Sequence, residues 1–152
     1  MRRCAEAKSH CRRQRLNRAF VGIAEENLDQ VVTIVRESAR HGEAVGAALA
    51  SVLEYVGARH ADEGFGAIAL LVWSEALRNP ALANRLAESF AAAVDALAEI
   101  ARARSVTGAG LAPEVLATTL LCVLPGYLLQ LTIRGADAVK TIPDAVRTLA
   151  AK

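Results

Sequence analysis

An all-α fold of about six helices is predicted by three features of this 152-residue chain. Hydrophobic residues make up 53% of it but aromatics only 4%, and the apolar set is rich in Ala, Leu and Val, which are mostly helix formers. Apolar residues recur at three- and four-residue steps, the spacing that lines one face of a helix. Three of the four prolines, Pro80, Pro113 and Pro143, stand where helices are expected to open. The length fits one domain with a sizeable core.

The first helix is expected from Phe20 to about Arg40, with Phe20, Ile23, Ala24, Leu28, Val31, Val32 and Val35 as its stripe. Gly42 ends it. A second runs from Glu43 to about Arg59 on Val45, Leu49, Val52, Leu53 and Val56, with Glu43 suited to the positive end of the helix dipole. Asp62 is read as the cap of a third helix through Phe65, Ile68, Ala69, Val72, Trp73 and Ala76. Its middle, AIALLVW, is apolar nearly all round and is expected to be the most buried segment.

Asn79 caps the fourth helix and Pro80 occupies its first position, where a missing N–H costs nothing. That helix carries Leu82, Leu86, Phe90, Val94, Leu97 and Ile100. Thr107-Gly108-Ala109-Gly110 is a loop, and Pro113-Glu114 opens a fifth helix ending near Arg134-Gly135, kinked by Pro125. A short last helix begins at Pro143, with Val146 and Leu149 as its apolar contacts.

Charge divides the chain. Residues 1–18 hold seven of the eighteen Lys and Arg and one acid, Glu6, whereas the remainder carries eleven bases against fifteen acids. Residues 1–19 are therefore read as a basic leader, disordered or foreign to the fold, and residues 20–152 as the helical domain. The leader's Arg, Ala and Cys content also resembles GC-rich coding sequence read in a shifted frame. Three cysteines make no disulfide framework, no signal peptide is visible, and a cytoplasmic location is expected. The nineteen residues from Val115 to Ile133 have no formal charge, near the length of a bilayer span. They include Thr118, Thr119, Gln130 and Thr132 and a central Pro125-Gly126, so burial in a protein interface is the reading taken.

Four segments read together carry a family resemblance: FVGIAEENLDQVV (20–32), VWSEALRNPAL (72–82), TGAGLAPEVLATTLL (107–121) and PGYLLQL (125–131). In order and spacing they resemble the C-terminal half of TetR-type transcriptional regulators. The first resembles the helix leaving the DNA-binding domain, the second a helix and its proline corner. The third and fourth resemble the loop into a dimerisation helix and that helix's middle.

The resemblance implies a ligand-sensing and dimerisation domain that binds a small apolar effector and pairs with a second copy of itself. Candidate ligand contacts are Tyr55, Phe65, Trp73, Phe90 and Thr119. Candidate dimer contacts are Leu120, Val123, Leu124, Tyr127, Leu128, Leu131, Val146 and Leu149. The family's DNA reader takes about fifty residues. The nineteen before Phe20 offer only Leu16 and scattered alanines as core, so no helix-turn-helix is expected there. DNA would be met only through a separate reader, or weakly through phosphate contacts of the leader.

No nucleophile elbow, phosphate loop or metal-binding histidine pair occurs, so neither an enzyme nor a cofactor is expected. Cys4, His10 and Cys11 lack zinc-site spacing. Cys122 is read as a core hydrophobe, and His41 and His60 as helix-end residues. The competing reading is a helical interaction protein or a membrane-associated one without regulatory role.

Overall fold

The computed structural model describes residue 22, residues 26–103 and residues 111–149, with the backbone alone at 62, 63 and 149. Among the described residues the chain is all-helical. The expected leader, Phe20, Ile23, Ala24, the loop at 107–110 and the side chain of Leu149 lie outside them.

Helix α1 (residues 26–40) buries Val31, Val32 and Val35 and ends at Gly42, as the sequence indicates. Gly42 takes φ +67°. The Gly42 N–H donates to the Ala39 carbonyl and the Glu43 N–H to the Ser38 carbonyl, both at 3.0 Å. That pair of bonds is a Schellman cap, which satisfies two carbonyls the helix would otherwise leave open.

Helix α2 (Val45–Glu63) is the centre of the molecule. Val45, Leu49, Val52, Leu53 and Val56 are each at most 1% exposed. Two expectations are corrected here. Glu43 precedes the helix, whose N-cap is Ala44, and Asp62 lies in its last turn instead of capping the next helix. Nothing between Arg59 and Glu63 disfavours helix, so α2 continues to Gly64, the first residue that tolerates the left-handed φ of +65°.

Helix α3 (Phe65–Ala76) starts directly from that glycine. It is not the most buried helix: Phe65, Gly66, Ala69 and Val72 face inward, but Leu71 is 60% exposed. α3 packs against its neighbours along one side. An all-apolar run carries no periodicity to tell which side that is.

Helix α4 (Pro80–Ala103) spans 24 residues, about 36 Å at 1.5 Å per residue. Its expected cap is present, with the Leu82 N–H donating to Asn79 Oδ1 at 3.3 Å. Leu82, Leu86, Leu97 and Ile100 are buried, while Phe90 and Val94 are half-buried.

The fifth predicted helix is two, α5 (Pro113–Leu121) and α6 (Val123–Arg134), interrupted at Cys122. Pro125 accounts for the interruption three residues before itself. It has no N–H to give the Leu121 carbonyl, and its ring crowds that same carbonyl. An ion pair between Arg102 and Glu114 holds the end of α4 to the start of α5.

A 3₁₀ turn (Ala136–Ala138) leads to α7 (Ile142–Leu149), which buries Val146 and begins one residue before Pro143. Arg147 fastens α7 to α2, reaching Glu54 at 2.8 Å and Asp144 at 2.6 Å.

Candidate functional site

Among the described residues, apolar side chains form two clusters. The main one surrounds α2, and a smaller one of Val72, Leu82 and Leu86 lies between α3 and α4. Trp73 and Phe90 pack against both. At the junction sits a cavity of about 30 Å³. Helix α3 supplies Phe65, Ile68, Ala69, Val72 and Trp73 to its wall, and α2 and α4 add Val56 and Leu86. Leu124 and Leu128 come from α6, and Asn27, Leu28 and Val31 from α1.

Among the described residues, Asn27 is the only polar side chain in that lining, and no ionisable side chain contributes. It is 4% exposed. The volume holds one or two waters. Sites for small molecules run to about 300–1,000 Å³, so any larger guest must displace a wall.

Of the five ligand contacts read from sequence, Phe65 and Trp73 line this cavity. Phe90 packs behind it, and Tyr55 packs against the main core. Thr119 is exposed on α5, its hydroxyl donating to the Val115 carbonyl at 2.8 Å. It lines a shallow groove with Glu114, Val115, Thr118 and Cys122. Asn27 was not anticipated, although a signal existed: it lies four residues before Val31, inside the apolar stripe of the first helix.

Two close approaches fix the walls. At Gly66 a side-chain carbon would come within 2.3 Å of Thr132 Oγ1 and 2.8 Å of His60 Nδ1, so α3 meets α6 here without room for a methyl group. The Gly66 N–H donates to His60 Nδ1 at 3.1 Å, and Thr132 Oγ1 donates to the Leu128 carbonyl at 2.8 Å. His60 thus serves the start of α3, not only the end of α2. At Gly57 a side-chain carbon would lie 2.8 Å from the Tyr127 hydroxyl, seating α6 on α2. Burial, and secondarily the Glu54 carboxylate, raise the Tyr127 phenol above its ordinary value.

The dimer contacts read from sequence fall largely inside the chain. Leu124, Tyr127, Leu128, Leu131 and Val146 are buried in its own core, with Leu120 and Val123 packed against it. Exposed apolar surface lies on the opposite side of α5–α6, at Val115, Leu129 and Ile133. With Thr119, Cys122 and Gly126, also exposed, these residues recur at steps of 4, 3, 4, 3 and 4. Cys122 belongs to this outer face and not to the core, because Ala117, Leu121, Leu124 and Leu128 already occupy the inner one.

Pro113–Arg134, taken through its interruption, is long and apolar enough to cross a membrane by length and composition. No cluster of three or more metal-binding side chains occurs among the described residues. No family model, curated protein or solved structure matches the chain. The likeness to TetR-type regulators therefore rests on the four sequence segments.

Proposed function

We propose that this chain is the ligand-sensing and dimerisation domain of a TetR-like transcriptional regulator, binding a small apolar effector. The observation that carries the reading is the cavity walled on one side by α1, the helix that resembles the family's connection to its DNA reader. A guest larger than the present volume must push a wall outward. α3 and α6 are locked to each other at Gly66, and α6 to α2 at Gly57. α1 and α4 stand outside these two contacts, and of the two α1, which supplies three residues of the wall against one from α4, is the helix displaced in this proposal.

The geometry makes that displacement small. Asn27 lies fifteen residues before Gly42, a lever of about 22 Å. Swinging α1 about Gly42 by roughly 8° moves the cavity wall by about 3 Å over that length. Effector binding would then bias the position of α1, the helix that in the resembled family leads to the DNA reader, the kind of shift that couples two sites. DNA contact itself would fall to a helix-turn-helix outside residues 20–152, or weakly to the leader.

Pairing would use the outer stripe of α5–α6, Val115 through Ile133, packed on the same stripe of a second copy. Gly126 and Cys122 in its middle are small enough for close helix approach. The same apolar stripe favours the second reading, a membrane-associated helical protein. Two measurements test the proposal. A stable dimer by size-exclusion light scattering without detergent supports it, and protein that stays in solution only with detergent overturns it. A thermal-shift screen of neutral apolar compounds should raise the melting temperature for at least one class; no stabilisation by any class removes the sensing role.

A further inference from the structure

On the reading that the cavity is the effector site, we infer that it takes an uncharged molecule bearing one hydrogen-bonding group, which sits on Asn27. The lining is otherwise aliphatic and aromatic, so the body of the guest is apolar. A buried ion without a counter-charge is far more costly than a buried neutral polar group. Among its described residues the lining offers no carboxylate, guanidinium or imidazole to offset it. Trp73 could attract a cation over its ring, but that attraction is smaller than the cost of stripping water from the ion.

The asparagine amide carries both a carbonyl acceptor and an NH₂ donor. Asn27 has a partner within the chain, and a guest hydroxyl, which can both donate and accept, suits the side chain whichever of its groups that partner takes. Asn27 also belongs to α1, the wall that yields. A hydrogen bond from guest to Asn27 ties the position of α1 to occupancy more tightly than apolar contact alone, because it is directional and is lost when α1 shifts too far. Asn27 is thus both the orienting contact and the link to the moving helix.

The chain contains a single tryptophan, Trp73, and it lines the cavity, so its emission reports occupancy without a label. The test titrates the full chain with cyclohexanol, methylcyclohexane, cyclohexylammonium and cyclohexanecarboxylate, which share one ring and differ in the polar group. The same titrations are run on Leu86→Ala, which enlarges the cavity. Cyclohexanol should give a saturable change in Trp73 emission and bind at least tenfold tighter than either ion. Asn27→Leu should weaken cyclohexanol by about two- to tenfold, the range of one neutral hydrogen bond, and leave methylcyclohexane equal or tighter. Asn27→Asp should invert the order and favour cyclohexylammonium, a gain that misfolding cannot imitate.

Ions binding as well as the alcohol, or Asn27→Leu weakening alcohol and hydrocarbon alike, overturns the role of Asn27 and leaves the cavity reading standing. No saturable response to any probe, in wild type or in Leu86→Ala, overturns both.

Discussion

Replacing Gly66 by alanine tests the crossing of α3 and α6 that frames the cavity. In an ordinary helix interior the change stabilises by roughly 0.5–1 kcal/mol, because alanine loses less backbone entropy on folding. At Gly66 the new methyl carbon would stand 2.3 Å from Thr132 Oγ1 and 2.8 Å from His60 Nδ1. Neither neighbour yields freely, since Thr132 is bonded to Leu128 and His60 accepts the Gly66 N–H. Forcing the helices apart costs about 1–3 kcal/mol as overpacking, and losing the His60 bond adds about 1 kcal/mol. The net is a destabilisation of about 1–3 kcal/mol, a fall of roughly 3–12 °C in melting temperature for a chain of this size. Gly22→Ala is the matched control, a helical glycine away from the proposed pairing stripe where a side-chain carbon meets nothing within 4 Å. It should raise the melting temperature by a few degrees. The assay is thermal denaturation followed by circular dichroism. Gly66→Ala melting at or above wild type would refute the close α3–α6 contact and with it the fixed wall of the cavity.

Other outcomes follow from the same packing. Asn79→Ala removes the Leu82 cap and should cost about 1 kcal/mol in urea unfolding, whereas Asn79→Ser should retain most of it. His60→Ala should cost a similar amount, with amide exchange accelerated first at Gly66 and Ala67. Because the folded-state pKa of Tyr127 is raised, its contribution is whole below the usual phenol value of about 10 and is lost as pH climbs toward the folded value. Stability should therefore fall more steeply at strongly alkaline pH in wild type than in Tyr127→Phe. At the acid end, the hydrogen bond from Arg102 holds the Glu114 carboxyl below its ordinary value. Its contribution is present at neutral pH and is lost as pH falls through the folded value, a dependence that Glu114→Gln should flatten.

The helices were legible where chemistry is local. Asn79-Pro80, Gly42 and Ala112-Pro113 each mark a terminus through a hydrogen bond or a dihedral that one or two residues determine. The α2 core stripe was legible because polar residues alternate with it at helical period. Orientation was not legible where the period vanishes. AIALLVW gave no inner face, and the inner and outer faces of α5–α6 are both apolar. The dimer candidates read from sequence therefore fall on the inner face, which the chain uses for its own core. The cavity was legible only through its aromatics, Phe65 and Trp73. Asn27 went unread because a polar residue in an apolar stripe is visible only when the stripe's partners are known. Thr119 is a hydroxyl on a helix and gave no sign of which way it faced.

Hydrogen–deuterium exchange with and without saturating cyclohexanol tests the central claim most directly. Displacement of α1 by the guest predicts faster exchange in residues 26–32, where the wall is pushed outward, together with slower exchange in α3 from Phe65 to Trp73 and no change in α2. Uniform protection along the whole chain, or an unchanged α1 at full occupancy, would contradict it.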